Sequence, residues 1–263
     1  MLDTADRPTA SDKINILGVG VDPIDMNIAV KRIDQLIAAD QSQYVCVTPI
    51  HSIMDCQADP NLRSIFNRAA LVTPDGMPVV WICNWLGKHT TQRVYGPDLL
   101  LRVCASSQQS RHRHFFYGGA DGVAEQLAVV LKERFPDMQI AGTCSPPFKQ
   151  LSSEEDQEIV NQINAAKPDI VWVGLGAPKQ EQWMADHIDS INGTLFIGIG
   201  AAFDFHTGRV RQAPYWMQRS GLEWLFRLGM EPKRLWRRYL VGNTRFLFKF
   251  FLQQTGLRTY TLG

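Results

Sequence analysis

No run of about 18 apolar residues occurs anywhere in this 263-residue sequence, so no ordinary membrane-spanning helix is expected. No CxxC pair and no His–Cys cluster occurs either. Cys46, Cys56, Cys83, Cys104 and Cys144 are odd in number and scattered. They read as reduced, mostly buried thiols of a cytosolic protein, which leaves out a disulfide framework and a zinc site. The GxGxxG fingerprint of dinucleotide folds and the GK[ST] of a P-loop are missing. No Asp-x-Asp pair is present to hold a diphosphate through a divalent metal. The first residues, "MLDTADRPTASDK", are polar and acidic, unlike a signal peptide or an anchor.

Acid is scarce in one place only. Residues 209–263 carry eleven Lys/Arg and two acids, Glu223 and Glu231, a balance of +9. The other 208 residues hold the remaining 16 bases and 24 acids, a balance of −8. The formal net charge of +1 therefore conceals an acidic body and a basic tail, and such a tail suits an anionic partner.

Short apolar runs alternate with helical patterns. "INILGVGV" (14–21), "YVCVT" (44–48), "ALVT" (70–73), "HFFYGG" (114–119), "MQIAGT" (138–143), "DIVWVGLG" (169–176) and "TLFIGIG" (194–200) read as strands. Helical spacing follows in "MNIAVKRIDQLIAA" (26–39), "DGVAEQLAVVLKERF" (121–135), "SSEEDQEIVNQINAA" (152–166, Ser153 and Asp156 as its capping pair) and "PKQEQWMADHI" (178–188). Continuously apolar strands, each followed by a helix, imply a Rossmann-like, doubly wound α/β fold, mainly parallel and covered by helices on both faces. The expected division is a core over 12–208 and a basic helical appendage over 209–263.

In such folds ligands bind beyond the carboxyl ends of the strands, and the unusual residues fall there. Asp75 and Gly76 stand between two apolar runs in "LVTPDGMPVVW" (71–81). A partly desolvated carboxylate at that place has the raised pKa of a general base, with helix capping as the plainer alternative. Arg93 can supply positive charge nearby. Gly118 and Gly119 open either a phosphate cradle or a simple strand–helix turn with Asp121 as its cap. "GLGAPKQEQW" (174–183) puts Gly176, a Pro at helix position N1, Lys179, Gln180 and Glu181 on one first turn. Asp204 lies between two phenylalanines, directed either into a site or outward. Without an Asp-x-Asp pair, a nucleotide diphosphate would be met by arginines and backbone amides.

The tail supplies those arginines. Taken as one helix, residues 231–254 place Arg234, Arg237, Arg238, Arg245 and Lys249 within an arc of roughly 120°. Trp236 and seven other apolar residues fill the opposite side, with a break or kink at Gly242-Asn243. This is the pattern of a membrane-surface helix. The same apolar face also suits the protein's own core or a homo-oligomer interface. No nucleic-acid module surrounds the basic face, so no nucleic-acid partner is expected.

Together "VTP" (47–49), "LVTPDGMPVVW", "RVYGPDLL" (93–100), "GLGAPKQEQW", "GIGAAFDFHTG" (198–208) and "EWLFRLGMEPKRLWRRY" (223–239) resemble the WecG/TagA/CpsF family, glycosyltransferase family 26. The resemblance implies transfer from a UDP-sugar to a polyprenyl-diphosphate-linked acceptor in exopolysaccharide or cell-surface glycan synthesis. It also implies action without a metal or other cofactor, at the inner face of the bacterial cell membrane. By the resemblance Asp75 is the base, with Thr48, Arg93 and Gln180 at active-site positions. Arg227, Arg234 and Arg237 complete the site over the diphosphate. Gly76, Gly118, Gly119, Gly176, Lys179 and Asp204 are expected on the UDP-sugar, and Trp236, Arg238, Arg245 and Lys249 at the membrane. The family often has Asn where this chain has Ile50, which leaves the donor sugar open and makes His51 a substitute for the missing amide. Two other readings stay open at this point, a dinucleotide-dependent oxidoreductase or epimerase and a non-catalytic membrane accessory of a partner transferase.

Overall fold

Residues rich in Val, Ile and Phe become strands here because both of their faces are buried, and the helices between them supply the cover. The computed structural model describes residues 13–149 and 151–262. The polar N-terminal segment and the expected start of the core at residue 12 lie outside them. In chain order the elements are β1 (Ile14–Ile16), β2 (Val19–Val21), α1 (Met26–Ala38), β3 (Gln43–Thr48), α2 (Ile50–Ala58), α3 (Pro60–Arg68), β4 (Leu71–Pro74) and α4 (Met77–Trp85). There follow α5 (Gly96–Ser110), β5 (Arg113–Gly118), α6 (Val123–Arg134), β6 (Gln139–Cys144), α7 (Ser153–Ala166), β7 (Ile170–Gly174), α8 (Lys179–His187), β8 (Leu195–Gly198) and α9 (Ala202–His206). The tail forms α10 (Tyr215–Arg219), α11 (Glu223–Met230), α12 (Pro232–Trp236), a π-helical turn (Arg237–Val241) and α13 (Gly242–Gln254). Six strands form one parallel sheet in the order β4-β3-β8-β7-β5-β6, flanked by helices, the Rossmann-like α/β fold that the sequence implies.

The chain divides into two compact units. One comprises Met26–Val47 and Val94–Gln212. Its strands pair in parallel, with Val45 opposite Ile197, Ile197 opposite Trp172 and Trp172 opposite Phe116. Phe115, Phe116, Trp172, Phe196 and Ile197 are completely buried. Each such aromatic or aliphatic side chain contributes about 1.5–3 kcal/mol by leaving water. The helix expected at 152–166 is capped by Ser152, whose Oγ accepts the Glu155 N–H at 3.2 Å while the Glu155 carboxylate accepts the Ser152 N–H at 2.9 Å. The capping pair thus stands one residue before the expected Ser153 and Asp156, because the cap residue itself lies outside the helix. Pro178 likewise occupies the cap position of α8, not its first turn, after a cis Ala177–Pro178 bond.

The other unit comprises the described parts of Met1–Asp25, Thr48–Arg93 and Ala213–Gly263. The apolar stretch 14–21 is not one strand but an antiparallel hairpin, β1 with β2. Leu17 and Gly18 both adopt positive φ at its turn, and the Asn15 side chain accepts the Gly18 N–H at 2.8 Å. The tail is fastened to this hairpin. The Gln253 side chain accepts from Leu17 N–H at 2.9 Å and donates to Asn15 C=O at 3.0 Å. Ala213, Leu235, Tyr239, Phe246 and Tyr260 are the described apolar tail residues that go into the core of the unit. Residues 232–254 run as continuous helix, but the π turn at 237–241 widens it by an extra residue. Gly242 keeps helical dihedrals, so the irregularity precedes the expected break at Gly242-Asn243. A uniform 100° wheel therefore misphases the residues around it.

Candidate active site

β4 ends at Pro74, and Asp75 follows with its N–H donated to Thr48 C=O at 3.2 Å. That bond ties Asp75 to the completely buried last residue of β3. Gly76, at φ 83°, turns the chain into α4; a residue with a Cβ would be strained there. Asp75 does not cap α4, for its side chain goes elsewhere. Oδ1 accepts from Nε of Arg93 at 3.1 Å, and Nη2 of the same guanidinium lies 2.6 Å from Oε2 of Glu223. All three side chains are mostly shielded from solvent. Burial pushes the Asp75 carboxyl above the ordinary carboxylate range, Arg93 pulls it back and the Glu223 charge raises it further. A carboxylate so placed is a base of more than ordinary strength, oriented by its arginine.

Beside it, in the first turn of α2, stands half-buried His51. Burial, then the Arg238 and Arg227 charges, push its pKa down to about 3, so it is a neutral imidazole at physiological pH. Burial likewise raises the Tyr239 hydroxyl, and Arg227, Arg238, Glu223 and Arg234 all act on it. The tail residues that bring charge to Asp75, His51 and Tyr239 are thus Glu223, Arg227, Arg238 and, for Tyr239, Arg234. Arg238, expected at the membrane, is half-buried here, within the π turn. Arg234 is exposed and engages Glu231 through Nε at 2.5 Å and Nη2 at 2.8 Å. Arg237 is exposed over the ring of Trp236, itself 44% exposed, at 5.3 Å. Arg245 is exposed and Lys249 half-buried on α13.

The remaining expected site residues belong to the other unit. Gly118, at the end of β5, lies so close to Gly174 that an added Cβ would stand 2.6 Å from its carbonyl carbon. Gly119 N–H donates to Gly174 C=O at 3.0 Å. The cap position of α6 is Gly122, and Asp121 makes no cap. Gly176, with positive φ, has open space where a side chain would point. Lys179 is exposed, with its ammonium 5.5 Å from the ring centre of Phe148. Gln180 is 4% exposed: its Oε1 accepts the Gly200 N–H at 3.0 Å and its Nε2 donates to Glu181 at 2.9 Å. It braces the turn after β8 against α8. Asp204, half-buried in the short helix α9, is not in a strand-like alternation.

Sequence reasoning missed Glu223 and the approach of Arg238 to His51. The signal for Glu223 was present, since it is one of two acids among the eleven bases of residues 209–263. Among the described residues no group of three or more His, Cys, Asp or Glu side chains is placed to hold a metal ion. No helix among them is long and apolar enough to cross a membrane. All five cysteines are unbridged thiols.

A sequence model of the glycosyl transferase WecG/TagA/CpsF family matches residues 14–260. The chain is 32% identical over 186 residues to a protein of Bacillus spizizenii, a match covering 71% of this chain and 70% of the relative. It is 25% identical over 236 residues to a protein of Staphylococcus aureus, covering 89% and 91%. Both relatives bear the name N-acetylglucosaminyldiphosphoundecaprenol N-acetyl-beta-D-mannosaminyltransferase.

Proposed function

The chain belongs to the WecG/TagA/CpsF glycosyl transferase family, and from that premise we propose that it moves a sugar from a UDP-sugar to a polyprenyl-diphosphate-linked sugar acceptor. It is a hexosyltransferase of lipid-linked glycans. The observation that supports the reading best is the shielded Asp75 carboxylate held by Arg93 at 3.1 Å. In a single displacement Asp75 takes the proton of the acceptor hydroxyl. The hydroxyl oxygen forms its bond to the anomeric carbon as the bond to the diphosphate breaks. UDP leaves with that electron pair, and the sugar is inverted.

The other roles are assigned residue by residue. Thr48 and Arg93 shape the surroundings of the base, and Gln180 keeps the turn at Gly200 in place. Arg227, Arg234 and Arg237 meet diphosphate charge, as arginines do well. Gly76, Gly118, Gly119 and Gly176 offer backbone to the UDP-sugar, with Lys179 and Asp204 as polar contacts. No metal is required where arginines and amides take that charge. The acceptor's lipid stays in the bilayer, so the enzyme works at the inner face of the cell membrane as a peripheral protein, with residues 209–263 as the docking appendage to a core over 12–208. The product is the lipid-diphosphate-linked glycan lengthened by one sugar, a precursor of an exopolysaccharide or another cell-surface glycan.

The test is UDP release from the full-length protein given a panel of UDP-sugars and a short-chain lipid-diphosphate sugar, with EDTA present. Acceptor-dependent release with one donor supports the proposal and names the sugar. Binding of UDP without release from any donor–acceptor pair overturns catalysis by this chain and supports the accessory reading.

A further inference from the structure

Of the large apolar side chains left exposed, all but Ile28, Val129 and Phe148 belong to the unit that carries Asp75. Two of them are on α4, the helix that begins just after Asp75. Trp81 is 50% exposed and Trp85 is 65% exposed, one turn apart on the same face. The opposite side of α4 buries Val79, Val80 and Cys83. The Trp85 ring meets Phe250 of α13 edge-on at 6.0 Å, and Phe250 stacks on buried Phe246 at 5.9 Å. On α13 the exposed residues Leu247 and Phe251 continue the apolar surface from there.

Cations cluster on the same helix, α13, and on the segment that follows it. Arg245 and Lys249 lie one turn apart on α13, and the charges of Arg245 and Arg258 both bear on Lys249. None of the three makes an ion pair among the described residues. A second copy of the chain meeting this face symmetrically would set these cations against their own counterparts. An anionic bilayer complements both features, with acyl chains for the rings and phosphates for the cations.

We infer that α4 is a membrane-contacting element in its own right, with Trp81 and Trp85 entering the interface of an anionic bilayer beside Leu247 and Phe251. Arg245, Lys249 and Arg258 lie over the headgroup phosphates. Trp81 and Trp85 stand about 6 and 12 Å along α4 from its first residue. The lipid surface therefore comes within reach of the segment that carries the base. The inference rests on the proposed transferase reading for its biological meaning, but not for its test.

The experiment uses the full-length protein and vesicles of phosphatidylglycerol and phosphatidylcholine. Trp81→Ser/Trp85→Ser, with its fold checked by circular dichroism, should bind the anionic vesicles about tenfold or more weakly. Trp81→Phe/Trp85→Phe keeps the apolar bulk and should still bind. It should lose much of the fluorescence that brominated lipids quench in the parent protein, which keeps the test open should the serine variant fail to fold. Unchanged affinity in a folded serine variant, or unchanged quenching in the phenylalanine variant, overturns the inference. So does a serine variant that turns a dimer into a monomer in sedimentation while binding vesicles as before. UDP release with a water-soluble acceptor is read in parallel. Its absence beside Trp-dependent vesicle binding would sink the transferase reading and leave this one standing.

Discussion

Nε of Arg93 lies 3.1 Å from Oδ1 of Asp75, while the far edge of the same guanidinium engages Glu223 at 2.6 Å. One cation therefore serves two carboxylates, and neither neutralises it alone. Burial raises the Asp75 pKa most, Arg93 opposes it, and the Glu223 charge on the same arginine adds to the rise.

Asp75→Asn keeps the size of the side chain and removes the proposed base. Turnover should fall by about 10² to 10⁴. UDP affinity measured by calorimetry should stay within a few-fold. Turnover equal to that of the parent would remove Asp75 from the mechanism.

In the proposed mechanism Asp75 acts deprotonated, so activity should be lost as pH falls through its raised pKa. The acid limb of the kcat/KM profile should therefore stand above the ordinary carboxylate range. Glu223 raises that pKa. Glu223→Gln removes the like charge and leaves Arg93 to Asp75, so the acid limb should move to lower pH. A limb that stays in place would show that another group controls it.

His51 titrates near 3 in the folded chain and near 6.5 when unfolded. Between those values the unfolded state binds the proton better, so His51 lowers stability as pH falls through that window. His51→Gln does not titrate. Its stability relative to the parent should improve by about 1–2 kcal/mol between pH 7 and pH 5, read from urea unfolding at both. A constant difference between parent and variant would show that His51 is accessible to protons when folded.

Gly118→Ala meets two penalties, a positive φ and a backbone 2.6 Å from the new methyl group. The loss should be about 2–4 kcal/mol, seen as a lower midpoint in chemical denaturation. Gln180→Ala leaves the Gly200 N–H without its acceptor and should cost about 1–3 kcal/mol. A loss of activity in Gln180→Ala without a loss of stability would instead mark Gln180 as a substrate contact.

The parallel sheet was legible because burial on both faces leaves a simple mark, and "IVWVG" or "YVCVT" cannot be much else. The hairpin at 14–21 was not, since the apolar run passes through its turn and only Asn15 and Gly18 betray it. Asp75 stood out because a carboxylate between two apolar runs is unusual. Its partner Glu223 is 148 positions away, and no local pattern records such a distance. The tail failed in another way. Its basic and apolar residues were recognised, but the π turn at 237–241 breaks the regular period, and Arg238, within it, is half-buried where the wheel placed it with the exposed cations.

Arg93 reaches into the tail for Glu223, so the tail is not a detachable anchor. Through Glu223 it acts on the charge of Asp75, the proposed base, while it also carries Trp236, Arg245 and Lys249. Exchanging tails between relatives, as one exchanges targeting modules, would transplant part of the acid–base chemistry with them. The proposed membrane attachment and the proposed reactivity would then be inherited as one trait.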